Sequence, residues 1–368
     1  MPLKTVNREH AAPRKGRGAG INPEGRFEKT SREAVDDGWN TPVDEDELPA
    51  LKTYVTVEHA KSIITRNDSP DIPFTQSINP YRGCEHGCVY CYARPSHAYL
   101  NLSPGVDFET RLFAKVNAAE LLRREFARPG YKCEVISLGA NTDPYQPIER
   151  EYKITRGILE VLTECEHPVG IVTKNAMIER DIDLLAAMAE KNLVNVYISV
   201  NNLDHELARR LEPRCPAPAR RLEAIRRLSA AGIPVGVLVA PVIPFLTDHQ
   251  IEPVLEAAYE AGARSTGYVL MRLPYELKDL FKDWLQTHYP LKAQHVMSRV
   301  HQMRDGRDND PEFGSRMRGS GELAELLRKR FDIACKRLGF NSERMQRNSA
   351  LDTTRFRRPQ LDGQLALF

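Results

Sequence analysis

Residues 77–91 read SINPYRGCEHGCVYC, and this stretch contains three cysteines in the spacing C-x3-C-x2-C: Cys84, Cys88 and Cys91. Thiolates are ligands that suit iron–sulfur clusters and zinc. Gly83 and Gly87 allow the backbone to turn so that the three sulfur atoms face one point. A zinc site would need a fourth protein ligand, and His86 lies inside the loop between two of the cysteines. The spacing therefore favours an iron–sulfur site with one open iron, and a zinc site or a metal-free loop is the alternative.

Outward from this stretch, strand and helix signals alternate along the chain. The predicted strands are Gln76–Tyr81, Glu134–Gly139, Val169–Lys174, Val194–Val200, Val235–Pro241 and Thr266–Leu273. The predicted helices between them are Asn117–Phe126, Thr155–Cys165, Glu179–Lys191, Pro218–Ala231 and Asp248–Ala261. Several strands are apolar throughout, which is typical of strands covered on both faces. The alternation predicts an α/β fold with a parallel sheet, arranged as a partial or full barrel.

The cysteine motif resembles that of the radical S-adenosylmethionine (radical SAM) family, C-x3-C-x-aromatic-C, with Tyr90 at the aromatic position. The resemblance implies that the three cysteines hold a [4Fe–4S] cluster and that SAM binds the open iron. In that family an electron from the cluster cleaves SAM to methionine and a 5′-deoxyadenosyl radical, which abstracts a hydrogen atom. The resemblance also implies a partial (β/α)6 barrel, with Tyr90 near the adenine.

Polar residues follow the predicted strands at their C-terminal ends, where parallel α/β folds carry their sites. Under the radical SAM resemblance, Asp143 is a candidate acceptor for the SAM ammonium or a ribose hydroxyl. Lys174 is a candidate partner of the SAM carboxylate, and Ser199 of the ribose or the carboxylate. Each residue has a structural alternative. Asp143 could be a turn residue before Pro144, Lys174 a solvated residue at a strand end, and Ser199 a helix cap. No catalytic residue is assigned.

A wider resemblance, over roughly residues 61–338, is to the branch that includes spore photoproduct lyase and DNA repair photolyase-like proteins. It is based on the stretches 142–149, 173–174, 180–185, 211–214 and 272–274, which occur in the right order. In spore photoproduct lyase a cysteine near the end of the second strand returns a hydrogen atom to the repaired base. Here Ala140 takes that place, and Cys133 begins the strand, roughly 20 Å away at ~3.3 Å per residue. The resemblance therefore suggests DNA, but not thymine-dimer repair by the same route.

The chain ends with the pentapeptide QLALF, which resembles the motif by which bacterial polymerases and mismatch-repair proteins bind the DNA sliding clamp. Such a peptide inserts Leu365, Leu367 and Phe368 into an apolar pocket, while Gln364 bonds to its rim. A few anchors of this kind carry most of the energy of an interface. The alternative is that the pentapeptide packs on its own domain.

Composition limits the class of protein and its organisation. The chain has 368 residues, of which 41% are apolar and 28% charged, and a net charge of +2. No apolar run is long enough to span a membrane, and three of seven cysteines within eight residues favour a metal site in a reducing cytoplasm over a disulfide framework. We expect a disordered tail at 1–52, the barrel at 53–300, a basic helical extension at 301–355 and a flexible tail at 356–368.

Three hypotheses about function follow. The first is a radical SAM enzyme that acts on DNA, in repair or base modification, and is recruited by the sliding clamp. The second is a radical SAM enzyme that acts on RNA, a protein or a small molecule. The third is a noncatalytic, metal-stabilised binding module. The oligomeric state and the exact substrate stay open at this point.

Overall fold

The computed structural model describes residues 16–28, 51–342 and 350–360. Two sheets are formed in these ranges. Their strands are β1 (Tyr54–Glu58), β2 (Ile64–Arg66), β3 (Gln76–Ile78), β4 (Tyr81–Arg82), β5 (Arg111–Lys115), β6 (Ile136–Leu138), β7 (Val169–Thr173), β8 (Val194–Ser199), β9 (Val235–Val242) and β10 (Ser265–Leu270). The smaller sheet has the order β1-β5-β4, and the larger has the order β10-β9-β8-β7-β6-β3-β2.

The larger sheet carries the six strands that the sequence predicts. In this sheet β3, β6, β7, β8, β9 and β10 pair in parallel with their neighbours. The seventh strand, β2, pairs antiparallel with β3. The central strands are buried and apolar: Val194, Val196 and Ile198 of β8 are fully buried, as expected for strands covered on both faces. The prediction of an α/β fold with a mostly parallel sheet is therefore confirmed.

Helices connect these strands. The α-helices of the described residues are α1 (Asp107–Thr110), α2 (Ala118–Ala127), α3 (Glu149–Tyr152), α4 (Ile154–Glu164), α5 (Ile182–Glu190), α6 (His205–Leu211), α7 (Pro218–Ala230), α8 (Ile251–Glu260), α9 (Leu277–His288), α10 (Pro290–Gln302) and α11 (Gly321–Leu338). The five predicted helices correspond to α2, α4, α5, α7 and α8. Two of them are preceded by a 3-10 turn, at Ala176–Asp181 and Asp248–Gln250. No helix of the described ranges is long and apolar enough to cross a membrane.

Residues 16–28 are packed against the domain, so the expectation of a disordered tail at 1–52 is corrected for these residues. Arg17 is buried and donates to the backbone oxygens of Glu109 (2.8 Å) and Leu51 (2.6 Å). Arg26 forms an ion pair of 3.0 Å with Glu276. Because these bonds join positions more than thirty residues apart, no local periodicity announces them. Residues 1–15 and 29–50 lie outside the described part of the chain.

The C-terminal part contains the expected helix, α11, and a further packed segment. Phe356 lies 5.4 Å from the rings of Phe126, Tyr131 and His167, and the Arg357 amide donates to the Cys165 carbonyl over 2.8 Å. The expectation of a flexible tail from residue 356 is thus corrected for residues 356–360, because an aromatic side chain anchors them. The predicted clamp-binding residues Gln364, Leu365, Leu367 and Phe368 lie outside the described residues.

Candidate active site

The three motif cysteines lie in one loop that follows β4. Cys84 and Cys88 are buried and Cys91 is partly buried. The loop turns at Gly83 and Gly87, whose φ angles are +73° and +67°. A side chain at Gly83 would place its Cβ 2.6 Å from Leu112 Cδ2, so only glycine fits there. The turn predicted from the two glycines is therefore present.

A buried ion pair holds this loop from behind. Arg94 and Glu109 pair with both side chains fully buried. Arg94 also donates to the loop carbonyls of Cys88 (2.8 Å) and Gly87 (3.1 Å). The Glu109 carboxylate accepts the backbone amides of Gly18 (3.0 Å) and Ala19. No spacing in the sequence predicts this pair, and the N-terminal segment is fastened to the cysteine loop through it.

The three thiols influence one another electrostatically. Burial and, after it, the neighbouring Cys88 and Cys84 sulfurs together raise the pKa of Cys91 to about 12. Among the described residues, no three His, Cys, Asp or Glu side chains converge closely enough to hold a single metal ion. A [4Fe–4S] cluster binds each cysteine through a different iron, so its ligands need not converge on one point. Three thiols on one glycine-turned loop suit such a cluster.

Cys215, which the sequence left unassigned, lies against the cysteine loop. Its sulfur is 3.8 Å from that of Cys88. Residues 211–214 are bonded to the same loop, because the Val89 amide donates to the Leu211 carbonyl (3.0 Å) and the Arg214 amide to the His86 carbonyl (3.3 Å). A distance of 3.8 Å is far longer than the ~2.05 Å of a disulfide, so both sulfurs are free thiols here.

Asp143 is fully engaged with protein groups at the ends of β6 and β7. Its carboxylate accepts the Tyr145 amide (2.9 Å), the Thr173 hydroxyl (2.6 Å) and the Lys174 amide (2.8 Å). It also lies 3.4 Å from Nδ1 of His86. Burial opposes the charged form, but His86 and these bonds outweigh it and lower the pKa of Asp143 to about 2. The geometry favours the turn role for Asp143 over direct contact with SAM.

His86 is held on both ring nitrogens. Nδ1 faces Asp143, and Nε2 lies 3.1 Å from the Asn175 amide. Burial works against the protonated ring, yet the Asp143 carboxylate raises the pKa of His86 well above its usual value. The imidazole therefore ties the cysteine loop to the strand ends, which differs from the zinc-ligand alternative.

Tyr90, the aromatic residue of the motif, is buried within a polar chain. Its hydroxyl donates to Glu212, and Glu212 in turn pairs with the buried Arg221. Arg221 donates to the backbone oxygen of Ser199 over 3.1 Å. Asn201 Nδ2 lies 3.4 Å from the Tyr90 hydroxyl. The Tyr90 ring is thus oriented by groups from β8, α6 and α7.

Lys174 brings a cation to the same place. Its ammonium lies 5.9 Å from the centre of the Tyr90 ring. Burial disfavours the charge, but Cys88, Cys215 and Asp143 outweigh it and raise the pKa of Lys174. Within the described ranges this ammonium forms no hydrogen bond or ion pair. Asn202, which is linked through Asn201 to the Tyr90 hydroxyl, has its Oδ1 buried without a donor. An unpaired donor beside the Tyr90 ring and an unpaired acceptor linked to the Tyr90 hydroxyl are what a polar cofactor would need.

Tyr92, one residue past the motif, contacts residues that follow two different strands of the larger sheet. Its hydroxyl donates to the carbonyl of Ala140, which follows β6. Its ring lies 6.0 Å from the guanidinium of Arg272, which follows β10. Tyr92 was not among the predicted site residues, although an aromatic residue adjacent to a motif cysteine was a usable signal.

Comparisons with known proteins agree with this geometry. The model of the radical SAM superfamily matches residues 78–258. An uncharacterised protein of Mycobacterium tuberculosis (strain ATCC 25618 / H37Rv) is 39% identical over 221 residues, which cover 60% of this chain and 65% of that relative. An uncharacterised protein of Methanocaldococcus jannaschii is 28% identical over 223 residues, 61% of this chain and 80% of the relative. The match thus spans just under two thirds of the mycobacterial relative.

Among solved structures, spore photoproduct lyase complexed with dinucleoside spore photoproduct superposes with a TM-score of 0.55. The identity is 16%, and the alignment covers 78% of this chain and 80% of the lyase. At this identity the likeness concerns the fold. The radical SAM superfamily uses a [4Fe–4S] cluster and SAM, and the three thiols of the loop suit that cluster. With the cysteine motif and the parallel sheet in agreement, the match at residues 78–258 identifies a radical SAM superfamily domain in this chain.

Proposed function

We propose that this protein is a radical SAM enzyme in which Cys84, Cys88 and Cys91 bind a [4Fe–4S] cluster. The observation that supports this most directly is the loop itself. It presents three free thiols beside the carboxyl ends of parallel strands, where Lys174 and Asn202 have unpaired polar atoms. When bound, the cluster would supply the electron that cleaves SAM to methionine and a 5′-deoxyadenosyl radical.

The chain's own residues then bind and orient SAM. We assign the SAM carboxylate to the Lys174 ammonium, because it is an unpaired cation close to the thiols. The Tyr90 ring is assigned to the adenine side, since its hydroxyl bond to Glu212 fixes the ring plane. Ser199, at the buried end of β8, is assigned to the ribose or carboxylate. Asp143 acts as a positioning residue that holds the Lys174 backbone.

The proposed setting is the cytoplasm, where thiol ligands stay reduced, and the proposed substrate is DNA, with repair or base modification as the reaction. Two observations support DNA. The terminal residues Gln364, Leu365, Leu367 and Phe368 match a clamp-binding pattern, and the spore photoproduct lyase that shares the fold is described as complexed with a dinucleoside lesion. Because Ala140 has no thiol, return of a hydrogen atom would need a group other than the cysteine used by that lyase.

Anaerobic reconstitution tests the chemistry. We expect about four irons and four sulfides per chain, and 5′-deoxyadenosine on reduction with SAM present. Cys84→Ser, Cys88→Ser and Cys91→Ser should each lose the iron. Cys133→Ser is the matched control, because Cys133 precedes the N-terminal end of β6 and lies outside the cysteine loop. A colourless protein that binds zinc and forms no 5′-deoxyadenosine would refute the proposal in favour of a binding module.

Recruitment is tested separately. Binding of the full chain to a purified bacterial sliding clamp is compared with binding of the chain lacking residues 364–368 and of the double variant Leu367→Ala, Phe368→Ala. We expect both changes to abolish binding, because a few anchors dominate such interfaces. Unchanged binding would show that the pentapeptide is not the clamp ligand, and the RNA, protein and small-molecule alternatives would then gain weight.

A further inference from the structure

The segment between α10 and α11 connects the two edges of the larger sheet. On one side, the Leu270 amide of β10 donates to the Met317 carbonyl over 3.0 Å. On the other side, the Gly314 amide donates to Asp71 over 2.7 Å, and Asp71 lies in the turn between β2 and β3. We call residues 312–318 the bridging segment. It crosses the gap between β10 and β2.

Three arginines meet where this segment approaches the end of β10: Arg272, Arg304 and Arg316. We call them the arginine cluster. Arg316 forms an ion pair with Asp71 and donates to the Ser69 hydroxyl over 2.6 Å. Arg304 is buried and donates to the carbonyls of Met271 (2.9 Å) and Ser315 (3.1 Å). Two of the three guanidiniums are therefore satisfied by the protein.

Arg272 differs from the other two. Its hydrogen bond in the described residues runs from Nη1 to the Met317 sulfur over 3.6 Å, and thioether sulfur is a weak acceptor. Its Nε is buried without an acceptor. The cations and anions that face it are Arg304, Arg316, Asp71 and Asp310. Three positive charges thus meet two negative ones in a partly buried place.

The two carboxylates near Arg272 are committed elsewhere. Asp71 pairs with Arg316, and Asp310 accepts the Ser315 hydroxyl (2.5 Å) and the Glu312 amide (2.9 Å). Burial, together with the Arg316 charge, lowers the pKa of Arg272. A partly buried guanidinium without an anion is costly. Such a group in a native structure calls for an explanation, of which a missing ligand is one.

Exposed aromatic rings accompany the arginine cluster. Tyr92 is 50% exposed and its ring lies 6.0 Å from the Arg272 guanidinium. Phe313 is 59% exposed and lies 4.4 Å from that of Arg316. Rings that alternate with arginines are the composition of sites for single-stranded nucleic acid, where bases stack and cations take the phosphates.

We propose that Arg272 binds a phosphodiester group of an unpaired nucleic-acid strand and that Tyr92 and Phe313 offer their faces to its bases. This rests on the proposed function and specifies its substrate: a base must leave its duplex stack to enter an enclosed site. Tyr92 also contacts the strand end after β6 and follows the cysteine loop directly. A strand held at Arg272 would therefore present its base at the mouth of the SAM site.

The test compares the full-length, anaerobically reconstituted wild type with Arg272→Met and with Arg124→Met. Arg124 is a matched control, because it forms an exposed ion pair with Glu120 on α2, away from the arginine cluster. Anisotropy of labelled oligonucleotides is measured for single-stranded DNA, single-stranded RNA and duplex DNA over a range of salt. We expect Arg272→Met to weaken single-strand binding about tenfold, uniformly across sequences. The slope of log affinity against log salt should fall by about 0.7.

A second measurement separates a binding role from a structural one. The unfolding temperature of Arg272→Met should equal or exceed that of the wild type, because the change removes an unpaired, desolvated charge. A lowered unfolding temperature together with lost binding would overturn the proposal, as would wild-type affinity in Arg272→Met or no oligonucleotide binding by the wild type. Preference for RNA would support the phosphate site and contradict the DNA substrate.

The failure of this proposal is distinguishable from failure of the proposed function. Formation of 5′-deoxyadenosine by the wild type without nucleic acid reports on the radical SAM chemistry alone. Binding that depends on Arg272 in a protein that forms no 5′-deoxyadenosine would support the phosphate site and refute the chemistry. The reverse result would refute the phosphate site and leave the chemistry supported.

Discussion

The variant Glu109→Gln tests how the cysteine loop is held. The change removes the only charge that the Arg94 guanidinium meets as an ion pair in the described residues, and both side chains are fully buried. Breaking a buried pair by removing one partner costs about 3–5 kcal/mol. The Gln amide would also point its N–H groups at either Arg94 or the Gly18 and Ala19 amides, which are donors themselves.

The measurement is urea unfolding of the iron-free protein, with Glu120→Gln as the control. Glu120 pairs with Arg124 at an exposed site, so its loss should cost less than about 1 kcal/mol. In Glu109→Gln we also expect faster tryptic cleavage after Arg17 and poorer retention of iron, since Arg94 holds the carbonyls of Gly87 and Cys88.

A double-mutant cycle with Arg94→Met makes the test quantitative. Once Arg94 is replaced, neutralising Glu109 no longer leaves a buried cation, so the two changes should couple by at least about 2 kcal/mol. Additivity within about 0.5 kcal/mol, or a cost of Glu109→Gln near that of the Glu120→Gln control, would refute the argument.

The remaining predictions concern the site. Asp143→Asn should lower the unfolding free energy by about 2 kcal/mol at neutral pH, because the pKa of Asp143 is lowered from 3.8 to about 2 in the folded protein. The difference between variant and wild type should vanish as the pH falls from 3.8 to about 2. A difference that persists at lower pH would contradict an origin in the Asp143 charge. Lys174→Met should weaken SAM binding about tenfold in equilibrium dialysis, with partial rescue in Lys174→Arg, since a charge-assisted bond is lost; equal affinity contradicts the assignment. Oxidation of the iron-free protein with hydrogen peroxide, which is reduced to water, should join Cys88 and Cys215 in a disulfide with loss of two hydrogens and so block iron uptake. The variant Cys215→Ser should still take up iron after the same treatment, and peptide mass mapping identifies the disulfide.

The fold followed from local patterns to a large extent. The strand expected at Val169–Lys174 occurs at Val169–Thr173, and the helix expected at Pro218–Ala231 at Pro218–Ala230. These elements carry their own apolar periodicity, which a single sequence displays. The first strand was predicted to reach Tyr81 but ends at Ile78, and β4 resumes at Tyr81. Pro80, which has no amide hydrogen, lies where the chain leaves the larger sheet and enters the smaller one, in which β4 pairs with β5.

The parts that were missed depend on distant contacts. Residues 16–28 carry no periodicity, and their place is set by bonds to Glu109, some ninety residues away. Cys215 meets Cys88 across 127 positions. For the site, the three motif cysteines were recognisable by spacing. Asp143 was expected to end the second strand, but β6 ends at Leu138. The contacts of Asp143 with His86 and Thr173 depend on how neighbouring strands meet.

The bridging segment also has a consequence for handling the protein. The superfamily match ends at residue 258, before β10 begins at Ser265. A fragment trimmed to that match would lack β10, so β9 would become the edge strand of the larger sheet and expose its outer amides and carbonyls. A fragment trimmed after α10 would lose the Met317 carbonyl that accepts the Leu270 amide. Open strand edges recruit other chains and aggregate. Poor solubility of such fragments would therefore reflect the missing cover of a sheet edge, and soluble expression requires the chain through at least residue 318.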